Sequence, residues 1–105
     1  MHARIATARV RAGSAAAVQR GWEELFEDYR QSGVCHGLVS MFSPEDDLAV
    51  TLTLWESSEA ADAVAPALRE KAAAMFADLM LEPPTIVLYD LLLTTAIPAT
   101  RPSTD

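Results

Sequence analysis

The sequence predicts an α+β fold of four strands and two helices in the order β-α-β-β-α-β, the strands forming one antiparallel sheet with both helices on one face. Three observations carry that expectation. Two stretches, following Ser14 and Ser57, are apolar at helical spacing. Four short runs rich in Val, Ile, Leu and Thr lie before, between and after them. The two middle runs are separated only by the polar "SPEDD" of residues 43–47, a five-residue connection that makes them antiparallel neighbours.

The first strand is expected over residues 3–10 and is ended by "RAGS", where Gly13 turns the chain and Ser14 caps a helix. In that helix Val18, Trp22, Leu25, Phe26 and Tyr29 make one apolar stripe, while Glu23, Glu24, Glu27 and Asp28 take the other face. Gly33 stops it. Residues 34–42, "VCHGLVSMF", and 48–55, "LAVTLTLW", form the hairpin. Ser57 or Ser58 then caps a second helix with Glu59 and Asp62 early in it, near the positive end of the helix dipole. Pro66 is expected to interrupt it, so that "APALREKAAAMFADLM" starts afresh with Leu68, Ala72, Met75, Phe76 and Leu79 facing inward, until the "EPP" of 82–84. Residues 85–93, "TIVLYDLLL", make the fourth strand. This order of elements is that of the ferredoxin-like split βαβ unit.

A chain of 105 residues is expected to be a single domain over 1–94, with 95–105 a proline- and threonine-rich tail that is flexible or crosses to a partner subunit. A domain this small is short of surface to bury, and Leu48, Val50, Leu52 and Leu54 line one side of the third strand, so a second copy's sheet is the simplest cover. A net charge of −7 with scattered basic residues argues against nucleic acid or an anionic membrane as partner. One cysteine, Cys35, and the absence of CxxC pairs or His/Cys ligand spacing fit a reducing cytoplasm and no bound metal. The start of the chain has no signal-peptide pattern, and no apolar run is long enough to span a bilayer.

"LTLWESSEAADA", residues 52–63 within the third strand and second helix, resembles the strand end, "WxS" and acid-alanine helix start of the antibiotic biosynthesis monooxygenase-like family of dimeric α+β barrels. "RVRAGS", "GWEELFEDYRQSG" and "EPPTIVLYDLL" resemble its first strand and turn, first helix and closing strand, so the likeness runs from Ile5 to Leu93. "GVCHGLVSMFS" is one residue longer than the usual run there. The resemblance implies a homodimer with one pocket per subunit between sheet and helices. It also implies one of several activities: cofactor-independent oxygenation of aromatic polyketides, haem degradation, or isomerase and cyclase chemistry. Haem degradation is disfavoured, because Ala6 sits near the position of that group's strand-one asparagine and no histidine occurs between Glu56 and Met80.

With the hairpin centred on Glu45, Trp55 pairs with Cys35, and Thr53, Thr51 and Ala49 share its face with Gly37, Val39 and Met41. Trp22, Phe26, Met75 and Phe76 from the helices would roof an apolar pocket with a few hydroxyls, although ordinary core residues follow the same pattern. Trp55 and His36 are the candidate catalytic residues. The candidate substrate-binding residues are Trp22, Phe26, Thr51, Thr53, Met75, Phe76 and Tyr89. His36 has the one internal imidazole, suited to acid–base work near neutrality; in this register it points away from Trp55, and a one-residue slip would reverse it. Tyr89 and Asp90 lie on opposite strand faces, Arg9 is a possible oxyanion partner, and Cys35 reads as a small buried hydrophobe.

Two functions follow. One is a cofactor-independent monooxygenase, or a related isomerase or cyclase, acting on an aromatic or polyketide-like molecule. The other is a non-catalytic dimeric barrel that binds a small ligand or serves as an accessory subunit. No metal, haem or flavin is expected in either.

Overall fold

A computed structural model describes residues 1–95. The elements are β1 (His2–Arg9), α1 (Ala15–Gln31), β2 (Cys35–Ser43), β3 (Leu48–Trp55), α2 (Ser58–Phe76) and β4 (Thr85–Asp90). The strands make one antiparallel sheet in the order β2-β3-β1-β4, the arrangement expected of a ferredoxin-like unit. Gly13 and Gly33 end β1 and α1 with φ of 75° and 76°, left-handed values that glycine adopts without steric cost. No helix is long and apolar enough to cross a membrane among the described residues.

Several local expectations are corrected. Ser14 precedes α1 but makes no capping bond; its hydroxyl donates instead to the Arg11 carbonyl. Ser57 does cap α2, accepting from the Ala60 amide at 3.1 Å. Pro66 does not divide the second helix. Its missing N–H removes one bond, while the packed face on either side, Ala61, Ala65 and Phe76, is buried and holds one continuous helix. That helix stops at Phe76, short of residue 80, because 79–81 are drawn to the end of β1: Arg11 N donates to Leu79 O and Leu81 N to Arg9 O, both at 2.9 Å. β4 likewise ends at Asp90; one further bond runs from Leu91 N to Met1 O at 3.0 Å, and Leu92 and Leu93 then stand largely exposed. Apart from Thr95, the expected tail lies outside the described residues.

The hairpin carries the correction with most consequence. Trp55 does pair with Cys35, but Leu54 pairs with Gly37, so His36 is an extra residue in a β-bulge. Beyond it the register is shifted by one, and the residues facing the helices are Leu38, Ser40 and Phe42 rather than Gly37, Val39 and Met41. The nine residues of β2 face eight in β3, and the bulge absorbs the difference.

Directly paired residues share a face, so the sheet can be read in rows. On the helix side run Cys35, Trp55, His2 and Asp90, then Leu38, Thr53, Arg4 and Leu88, then Ser40, Thr51, Ala6 and Ile86. On the other side run Val39, Leu52, Ile5 and Val87, flanked by Met41, Val50 and Leu54. The helices cover only the first face. Its core is Leu25 and Tyr29 of α1, Trp55 of β3, and Ala61, Ala65 and Phe76 of α2. Four aromatics pack in series, Trp22 lying 5.4 Å from Phe76 and 5.6 Å from Tyr29, and Tyr29 lying 6.2 Å from Trp55. Gly21 makes the helix contact possible, because a Cβ there would meet the Phe76 ring, with Cζ at 2.6 Å.

Candidate functional site: a cavity between sheet and helices

Small residues create the site. The helix side of β1 and β3 carries Ala6, Ala8, Ala49, Thr51 and Thr53, none long enough to reach α1 and α2 across the layer. The space left is a cavity of about 240 Å³, walled by these residues, by Trp55, Tyr29 and Trp22, and by Ala65, Ala72 and Phe76 of α2. Trp55 is both wall and core. It is 1% exposed, and its indole N–H donates to Thr53 Oγ1 at 2.8 Å, which fixes the ring edge over the cavity side of β3.

Of the residues singled out from sequence, the structure therefore brings together Trp55, Trp22, Thr51, Thr53 and Phe76. The others fall elsewhere. Bulging places His36 at the surface, with its Nε2 3.6 Å from Glu56 Oε1 and no part in the cavity wall. Phe26 is half exposed and lines a separate open groove between α1 and β2, because it lies one residue beyond Leu25, which takes the core position. Met75 is likewise displaced outward by its neighbour Phe76. Tyr89 pairs with Ala3 on the sheet's far face and is half exposed. Arg9 is exposed and lies 3.7 Å from Glu82. Cys35 does neighbour Trp55 in the sheet, but burial pushes its thiol up, and the thiol donates to the Gly37 carbonyl, so the unreactive thiol form is favoured.

The polar groups that do line the cavity are mostly ones the sequence did not flag. Arg4 is 6% exposed, with its guanidinium held from two sides: Nε donates to His2 Nε2 at 3.1 Å and Nη2 to Asp62 Oδ1 at 2.6 Å. Accepting that bond requires His2 to be neutral and to carry its proton on Nδ1, a buried atom with no partner among the described residues. Arg69, one turn beyond Ala65 on α2, is the second cation of the wall. Tyr29 supplies a phenol pushed up to about 12 by burial, with Cys35 adding to the effect and Arg69 opposing it. Near neutrality that phenol is a hydrogen-bond donor and not a base. Among the described residues, no Asp, Glu or His lines the cavity. Nor do three or more His, Cys, Asp or Glu come together as a metal site among the described residues.

One signal for Arg4 was present in the sequence. In "HARIATA" the residues at 2, 4 and 6 alternate with an apolar set, so an arginine on the face of Ala6 had to be buried under the helices or displaced to the edge. Its partner Asp62 lies far along the chain, which sequence spacing does not reveal.

This layered arrangement recurs in solved structures. No family model and no curated protein matches the chain. A Nitrosomonas europaea protein provisionally designated an antibiotic biosynthesis monooxygenase superposes with a TM-score of 0.74 at 21% identity, over 89% of this chain and 100% of that one. The chain has the antibiotic biosynthesis monooxygenase fold. A second structure, named antibiotic biosynthesis monooxygenase, matches over 89% of this chain and 100% of its own, with a TM-score of 0.69 and 21% identity. Rv0793 from Mycobacterium tuberculosis matches at 0.71 and 17% identity, over 90% of this chain and 98% of its own. At these identities the fold is shared, and the reaction must be argued from the cavity.

Proposed function

We propose that the protein is a cofactor-independent monooxygenase whose substrate, a small aromatic or polyketide-like molecule, occupies the cavity beside Trp55. The observation that carries this reading is the cavity itself: an apolar space under four aromatic rings, left open by alanines and threonines where a packed core would place larger side chains. In the balanced reaction one activated methylene and one dioxygen give one ketone and one water. One dioxygen atom enters the product and the other leaves as water, the two C–H bonds of the methylene supplying the electrons and the two protons. The deprotonated substrate is the reductant, so the protein need only hold it in a fixed orientation, stabilise its anion and keep bulk water away. Arg4, Arg69 and the Tyr29 phenol are the groups that would stabilise the anion.

The active unit is proposed to be a homodimer joined through the far faces of two sheets. The row Val39, Leu52, Ile5 and Val87 supports this: Val39 and Val87 remain 49% and 41% exposed on a face no helix covers.

The test is oxygen uptake with a compact bicyclic ketone bearing an acidic activated methylene, such as 1,3-indanedione, using labelled dioxygen. The reading expects protein-dependent uptake with one labelled atom in the product ketone, reduced by Trp55→Phe. The lack of a base in the cavity favours the second reading, a dimeric barrel that binds a ligand without transforming it. Binding in the cavity with no rate above the spontaneous reaction would establish that alternative.

A further inference from the structure

The charge on the cavity wall is opposite to that of the protein. The chain carries fifteen acidic and eight basic residues, yet among the described residues the wall holds two arginines and no carboxylate. Arg4 is a costly residue to place there. A guanidinium always keeps its charge, and one buried beneath an apolar roof is expected to be fully paired. Pairing here is incomplete: Nε and Nη2 are bonded, Nη1 makes no hydrogen bond to another described residue and is not fully buried, and the one counter-charge, Asp62, is 69% exposed and hence screened by water. His2, held neutral by the bond it accepts, contributes no charge. Arg69 adds a second cation, about two turns beyond Asp62 on α2.

We infer that the cavity selects an anionic ligand, an apolar planar molecule bearing one carboxylate or an already ionised enol, with its charged end at Arg4 and Arg69 and its rings under Trp22, Trp55 and Phe76. This rests on the reading of the cavity as the substrate site and adds the chemical class of substrate to it. It also accounts for the missing base. With no His, Asp or Glu on the wall, the site is built to receive an anion and not to make one from a weak acid. His2 and Asp62 then serve as positioning residues, gripping Nε and Nη2 so that the remaining donors of the fork stay free. Size limits the ligand as well. A cavity of about 150 Å³ accommodates benzene, so 240 Å³ suits a single ring with a short conjugated arm or a compact bicycle.

Calorimetric titration of the whole protein with cinnamate and with cinnamamide tests this, since the two share shape and differ in charge. The expected result is that cinnamate binds about tenfold or more tightly than the amide, from charge-assisted hydrogen bonds in a largely apolar cavity. Arg4→Met is expected to abolish the preference by weakening cinnamate binding far more than amide binding. Arg69→Gln, at an exposed helix position that folding does not require, is expected to reduce the preference and flatten its dependence on salt. Arg4→Lys should recover only part of it, since an ammonium cannot reproduce the fork. Equal binding of acid and amide to the unaltered protein overturns the inference while leaving the cavity as a ligand site. A preference undiminished in Arg4→Met overturns it too. Failure of both molecules to bind removes the ligand site altogether.

Discussion

Trp55→Phe separates what the indole does for the fold from what it does for the cavity. The substitution removes the 2.8 Å bond from Nε1 to Thr53 Oγ1 and the outer part of a side chain that is 1% exposed. A neutral hydrogen bond is worth about 1 kcal/mol net. The side-chain volume lost is roughly 40 Å³, and at about 24 cal/mol per Å³ of new cavity this adds about 1 kcal/mol. Because the lost volume opens into an existing cavity, little relaxation can offset it, and about 2 kcal/mol in total is expected. Urea denaturation followed by circular dichroism should show the midpoint falling with the slope unchanged. Thr53→Val in the same background isolates the hydrogen bond: the double mutant should be less destabilised than the sum of the singles by about 1 kcal/mol. A loss above about 4 kcal/mol would mean that Trp55 is chiefly a core residue whose removal collapses the layer. A loss below about 0.5 kcal/mol would mean that the indole is not packed as described.

Gly21→Ala is expected to cost about 1–3 kcal/mol, because the new methyl meets the Phe76 ring; Phe76→Leu in the same chain should recover part of it in thermal melts. Pro66→Ala, at an exposed site inside α2, should restore a helix bond and raise the melting temperature, since proline costs about 3 kcal/mol in a helix interior relative to alanine. Leu52→Lys should convert the proposed dimer to a monomer of half the mass by light scattering, by placing a charge in the centre of the far face. Stability should fall between pH 10 and about 12, where Tyr29 remains protonated in the folded chain but ionises in the unfolded one. Tyr29→Phe should remove that component of the alkaline limb, and an unchanged limb would mean the phenol is accessible to water.

The elements were legible because their signals are local. β3 spans the residues its alternation and the following Trp-Glu-Ser marked, and α1 ends at the glycine that marked its stop. What was not legible depended on tertiary pairing. Pro66 is a strong local breaker, but burial of Ala61 and Ala65 against the sheet outweighs one missing bond. The helix end at Phe76 was set by hydrogen bonds from residues 79–81 to the end of β1, distant in sequence. The bulge at His36 shifted the rest of β2 by one residue, and with a period of two this exchanged the faces of the residues from Gly37 onward. The extra residue in "GVCHGLVSMFS" was visible; where the chain would absorb it was not.

The same bulge decides what chemistry the cavity can perform. A strand without it would carry an imidazole either into the cavity or onto the aliphatic far face; bulging leaves His36 at the surface beside Glu56. The wall is thereby left, among the described residues, without an Asp, Glu or His, and its Tyr29 phenol is driven upward by burial. Proton abstraction by a side chain thus has no evident agent, whereas anion stabilisation has three: two guanidiniums and a phenol that stays protonated. Catalysis by such a wall would act on the charge of a bound enolate as it passes to dioxygen, through fixed donors that need no reorganisation in a water-poor space. Its rate with substrates of graded acidity should accordingly follow the fraction already ionised in solution, whereas a hidden base in the cavity would hold the rate level across the series.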